Sequence, residues 1–125
     1  AERLKGGYAF QQLLNQNGWL PLGTDFPVEE INPFKTFLAA VVRKDAKGYP
    51  ADGFQMENAL TREQTIRGMT IWAAKANRME KEIGSLEVGK KADFIMLDKD
   101  LMKVSADSIL KVKVIKTFIN GERVH

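Results

Sequence analysis

Asp25 closes the segment Trp19-Leu20-Pro21-Leu22-Gly23-Thr24-Asp25, a short apolar run that ends in a carboxylate and is followed at once by Phe26-Pro27. An acid at the C-terminal tip of a strand, with a loop and a helix after it, is where (β/α) enzymes place metal ligands and proton carriers. The partners that such an acid needs are not in the chain. There is no Cys, and the single His is His125, the last residue. Asp25 therefore reads as one member of a site whose other members lie outside these 125 residues.

Taken without its context, Asp25 is also a good turn residue, because Asp side chains bond their own local backbone. Position at a strand end moves the reading toward chemistry. Glu29 and Glu30 read as surface charge ahead of the next helix; nothing in their spacing marks a paired-carboxylate acid/base site. His125 reads as a frayed terminal residue. Trp19 and Trp72 read as core, not as substrate platforms. Gly84, Gly89 and Gly121 are backbone turn residues and do not make a phosphate cradle. Asp93 is expected to tie down the Gly89-Lys90-Lys91 turn.

Composition narrows the classes. An apolar share of 44% and a charged share of 28% are ordinary for a globular domain. The formal charge is only +3, and Lys90-Lys91, Lys111, Lys113 and Lys116 are interleaved with apolar residues. That pattern argues for solvated faces and against nucleic-acid binding. Without Cys there are neither disulfides nor thiolate metal sites. No apolar run approaches the roughly 20 residues that cross a bilayer, so no membrane partner is expected. The start, Ala1-Glu2-Arg3-Leu4-Lys5, lacks the apolar core of a signal peptide. The compartment stays open, with the cytoplasm as the default expectation.

The elements that must position Asp25 can be read in outline. Tyr8 to Asn15 is predicted as a short amphipathic helix with Phe10, Leu13 and Leu14 on one face, stopped by Asn17-Gly18. Trp19 to Gly23 follows as a brief buried strand. Asn32-Pro33 starts the next helix, over about 33–44, with an Asn cap and Pro in the first turn. Its stripe is Phe34, Phe37, Leu38, Val41 and Val42, and Arg43 and Lys44 are expected in its last turn, opposing the dipole. Residues 45–59 form a long loop. Thr61-Arg62-Glu63-Gln64 is a capping box; the helix it opens is expected to break near 69–71, with Thr70 able to cap a second piece. From Gly84 the texture becomes strand-like. Asp93 to Asp98 encloses Phe94-Ile95-Met96-Leu97, a run suited to a strand covered on both faces. Val112 to Ile119 is a further strand, and Asn120-Gly121 turns it back on Glu122 to His125.

Two stretches together resemble the C-terminal end of an amidohydrolase-superfamily enzyme, and most closely amidohydrolase family 3, the branch with N-substituted formamide deformylase-like proteins. One is Gly23-Thr24-Asp25-Phe26-Pro27-Val28-Glu29 with Asn32-Pro33-Phe34 and Ala39 to Arg43. The other is Leu60-Thr61 through Thr70 to Ala74, then Gly84-Ser85-Leu86-Glu87-Val88-Gly89-Lys90-Lys91-Ala92-Asp93 to Asp98. The resemblance implies an α/β fold: residues 1–80 as the last strand and helices of a (β/α)₈ barrel, and 81–125 as the C-terminal part of a small composite β-sandwich domain. Trp19–Gly23 would be the eighth barrel strand and residues 33–44 the helix after it. The resemblance also implies a divalent metal, zinc being expected, in the full-length enzyme, with Asp25 as metal ligand and proton carrier. No cofactor is expected in this chain alone, since the family's His ligands have no match here. The implied substrate is a small amide-like molecule.

Two function classes follow. The chain is part of a metal-dependent hydrolase of non-peptide C–N bonds, inactive by itself, or it is a noncatalytic binding or assembly module that keeps the end of the fold. Either way, one barrel strand without neighbours has two unpaired edges. The isolated chain is expected to self-associate or to bury the Trp19–Gly23 segment in another way. Light scattering at rising concentration checks the first branch; a clean monomer throughout would contradict it.

Overall fold

In a computed structural model, which describes residues 4–125, helices and one small sheet follow each other along the chain. The helices are α1 (Phe10–Asn17), α2 (Pro33–Val42), α3 (Arg62–Met69) and α4 (Ile71–Ala76). Short 3₁₀ turns occupy Met56–Asn58 and Ala106–Lys111. The strands β1 (Phe94–Leu97), β2 (Val114–Ile119) and β3 (Glu122–Arg123) form an antiparallel sheet in the order β1-β2-β3.

Local chemistry accounts for most of the helix ends. Gly18 caps α1 in the left-handed conformation, its N–H donating to the Leu14 carbonyl. The Asn32 side chain accepts from the Phe34 N–H and Pro33 fills the first turn of α2. The capping box is present in both directions at α3: Thr61 Oγ1 accepts from Gln64 N, and Gln64 Oε1 from Thr61 N. The helix breaks at Thr70, as its sequence predicts, but Thr70 does not cap α4. Its hydroxyl donates back to the Ile66 carbonyl, closing α3 instead.

Helix α2 is the hub. Phe37 and Leu38 join Leu101, Ile109 and Val112 in one buried cluster; Ala40 joins Leu14 and Leu60 in another. The first cluster ties the N-terminal helices to the segment between β1 and β2. Arg62 reinforces it by donating to the carbonyls of Leu101 and Val104.

Several expectations need correcting. Residues 19–23 do not form a strand. A strand needs a neighbour to ladder with, and here a single backbone–backbone bond, Leu22 N–H to the Gly68 carbonyl, joins the segment to another element. Leu20 and Leu22 pack instead on the Leu14–Ala40–Leu60 cluster. Strand β1 is not covered on both faces either: Ile95 and Met96 are exposed, and a bulge between Met96 and Leu97 breaks the alternation. Arg43 is not in the last turn of α2. It is the left-handed residue after it, with φ 58°.

The hairpin agrees with the sequence. Asn120 and Gly121 both have positive φ, 50° and 83°, which a two-residue type I′ turn requires. Phe94 stands opposite Phe118, and their rings stack at 4.5 Å. Asp93 acts on this turn and not on Gly89-Lys90-Lys91: its Oδ1 accepts from Asn120 N at 2.7 Å. His125 is not frayed, since its carbonyl accepts from Thr117 N at 3.1 Å.

Phe37 is fully buried at the hub. Phe37→Ala should lower stability by about 3–5 kcal/mol, enough to approach the whole margin of a small domain. Urea denaturation measures it; a loss below about 1 kcal/mol would contradict the role given to α2.

A cavity shared by Asp25 and Arg43

The segment leading to Asp25 is fixed by a close approach. A Cβ on Gly68 would meet Leu22 Cδ1 at 2.8 Å and the Leu20 carbonyl oxygen at 2.9 Å. Only glycine lets α3 lie this near the extended segment. Beyond Gly23 the chain turns. Asp25 has φ 57°, a left-handed conformation that Asp tolerates better than most residues. Its carbonyl accepts from Val28 N at 2.8 Å and from Glu29 N at 3.3 Å, and Thr24 Oγ1 accepts from Phe26 N. The backbone thus makes the turn. The carboxylate itself is exposed and has no hydrogen-bond partner among the described residues.

Asp25 lines a cavity of about 680 Å³, whose other walls are the start of α1, the body of α2 and the loop after it. Glu29 and Glu30 also line it; Glu30 is paired with Lys35 at 2.5 Å on the exposed rim. The loop wall is organised by Asp45. Its Oδ1 accepts from Tyr49 N at 2.9 Å and from Lys47 N at 2.8 Å. These two N–H groups, Tyr49 first, hold the Asp45 carboxyl below its ordinary value of 3.8.

Arg43 was not a candidate on sequence alone, where it reads as a dipole partner. It lines the same cavity and is 6% exposed. Its Nε donates to the Phe54 carbonyl at 2.9 Å, and Phe54 N donates back to the Arg43 carbonyl at 2.8 Å. The guanidinium carbon lies 5.1 Å from the Phe10 ring centre and 5.5 Å from that of Phe54. Burial pushes its pKa down, with Glu57 opposing. No sequence signal marks this, because Phe10 and Phe54 stand 33 and 11 positions away.

The other residues singled out lie elsewhere. Trp72 packs on the Leu14–Ala40–Leu60 cluster, and Trp19 is half-buried with the Lys75 ammonium 4.6 Å above its ring. His125 is exposed at the sheet. Among the described residues no three His, Cys, Asp or Glu side chains come together as a metal-binding group. A divalent ion needs several protein ligands. Asp25 could supply one oxygen of such a set, and the donors present here do not supply the rest.

Comparison with known proteins places these features. A model of the amidohydrolase family matches residues 1–125. The protein LONG AFTER FAR-RED 3 of Arabidopsis thaliana is 32% identical over 126 aligned positions, covering 98% of this chain and 20% of that protein. N-substituted formamide deformylase of Arthrobacter pascens is 26% identical, over 91% of this chain and 20% of its own length. A 5-methylthioadenosine/S-adenosylhomocysteine deaminase of Thermoanaerobacter pseudethanolicus is 36% identical, over 78% and 22%. The crystal structure of an amidohydrolase from Thermotoga maritima superposes with a TM-score of 0.67 at 23% identity, over 94% of this chain and 26% of that one. The chain thus spans about a fifth of the length of these curated relatives.

Two outcomes follow from the geometry. Gly68→Ala should push the 20–22 segment off α3, costing about 1–3 kcal/mol by overpacking; hydrogen exchange at the Leu22 amide should accelerate, and an unchanged rate would refute the close approach. Asp45 has a depressed pKa, so its contribution to the loop is present above the ordinary carboxylate value and is lost as pH falls through the lower folded value. In an NMR titration, the Tyr49 and Lys47 amides should move together with a common midpoint below pH 3.8. Movement centred above that value would remove Asp45 from the loop's organisation.

Proposed function

The chain belongs to the amidohydrolase family, and on that premise we propose that it is the C-terminal part of a metal-dependent hydrolase acting on non-peptide C–N bonds. Residues 1–80 are the end of its (β/α)₈ barrel and 81–125 its share of a composite β-domain. The likeness in fold to the Thermotoga amidohydrolase supports this placement. The names of two relatives, a formamide deformylase and a deaminase, support the bond class, since deformylation of an N-substituted formamide and deamination both break a C–N bond.

The observation that carries the reading is the Asp25 carboxylate: exposed on a cavity wall, at the end of an extended segment, with no partner of its own among the described residues. In the full-length enzyme a divalent metal, zinc in this reading, would supply Lewis acidity and lower the pKa of a water molecule toward neutrality. The ligands other than Asp25 come from parts of the enzyme outside this chain. Asp25 takes the proton that the attacking water gives up. As the C–N bond breaks, it hands that proton to the nitrogen, because an amine departs poorly unless protonated. The substrate is a small amide-like molecule.

Asp25→Asn in the full-length enzyme should cut kcat by about 10²–10⁴-fold, the usual worth of general acid–base help, with an unchanged melting temperature. Retention of most activity would take Asp25 out of the mechanism.

A further inference from the structure

Asp25 carries its carboxylate on a left-handed backbone, φ 57°. Glycine takes that conformation at no steric cost, whereas a residue with a Cβ holds it where the surroundings impose it. The bonds that make the turn do not use the acid. Val28 N–H and Glu29 N–H both donate to the Asp25 carbonyl, at 2.8 Å and 3.3 Å, and every residue type supplies a carbonyl. What the left-handed step decides is the direction of the side chain. Relaxing φ to the right-handed value of about −63° would swing Cβ roughly 120° about the N–Cα bond. At a reacting centre a misplacement of about 1 Å can cost about 10²-fold in rate.

The half-buried Thr24 brackets this step. Its Oγ1 accepts from Phe26 N–H at 3.3 Å, so the two ends of that bond lie on either side of Asp25. The bond closes a ring that contains the Asp25 N–Cα and Cα–C bonds, the two about which the backbone can turn. Upstream, Leu22 N–H donates to the Gly68 carbonyl at 2.9 Å, which fixes where the segment enters the turn. We propose that Thr24 is a positioning residue for the reaction: its hydroxyl holds Asp25 in the left-handed conformation and so aims the carboxylate. This step rests on the role proposed for Asp25 and adds the group that orients it. Serine carries the same acceptor on the same atom, while valine has threonine's shape without it.

The test compares Thr24→Val with Thr24→Ser. In the full-length enzyme Thr24→Val should lower kcat by about tenfold or more and leave KM in place, and Thr24→Ser should keep the parental kcat. On an Asp25→Asn background Thr24→Val should cost nothing further, because it acts through the group already removed. A readout free of metal and turnover comes from the 125-residue chain: hydrogen exchange at the Phe26 amide should quicken in Thr24→Val and stay parental in Thr24→Ser. An unchanged kcat or an unchanged Phe26 exchange rate in Thr24→Val, an equal loss in Thr24→Ser, or an undiminished loss on the Asp25→Asn background would overturn the proposal. Should Thr24→Val fail to fold, Thr24→Ala is read in its place. Full activity in Asp25→Asn would sink the role of Asp25 and that of Thr24 together. A slow Asp25→Asn beside a fully active Thr24→Val would sink the role of Thr24 alone.

Discussion

Burial of α2 on two sides is the constraint from which the remaining structure hangs. One stripe of the helix, Phe37 and Leu38, is closed by Leu101, Ile109 and Val112, residues contributed from beyond β1. A neighbouring position, Ala40, is closed by Leu14 and Leu60. A ten-residue helix is too short to be stable in water on its own propensity. Its stability comes from these contacts, and its orientation is therefore set by pieces of chain far apart in sequence. The cavity inherits that orientation, because Leu38, Ala39 and Ala40 help to line it and Arg43 follows directly from the last turn.

The left-handed step at Arg43 matters for the same reason. It ends the helix, returns the chain toward Phe54, and brings a cation near two rings. Helix end, loop anchor and cavity wall are thus one local event. Asp45, two residues on, then folds the loop around its own carboxylate.

Features governed by short-range chemistry were legible in the sequence. The Asn32-Pro33 start, the Thr61–Gln64 box, the break at Thr70 and the Asn120-Gly121 turn depend on residues within four positions of each other. Features governed by distant partners were not. Residues 19–23 have the composition of a strand, but a ladder is made by neighbours, and here only Gly68 offers one carbonyl. Phe94 to Leu97 has the composition of a doubly covered strand, yet a bulge and a single packed side leave Ile95 and Met96 in solvent. At the cavity, Asp25 was legible because its type and its place after an apolar run are local facts. Arg43 was not, because its burial depends on Phe10 and Phe54 meeting in space.

The placement of the two tryptophans has an optical consequence. Trp19 begins the extended segment and carries the Lys75 ammonium 4.6 Å above its indole, while Trp72 packs on the cluster that receives Leu20 and Leu22. A cation held over an indole face changes that chromophore's surroundings. The chain has no other tryptophan. Its intrinsic emission is therefore a built-in gauge of the very stretch that delivers the carboxylate, readable without labels or engineered probes.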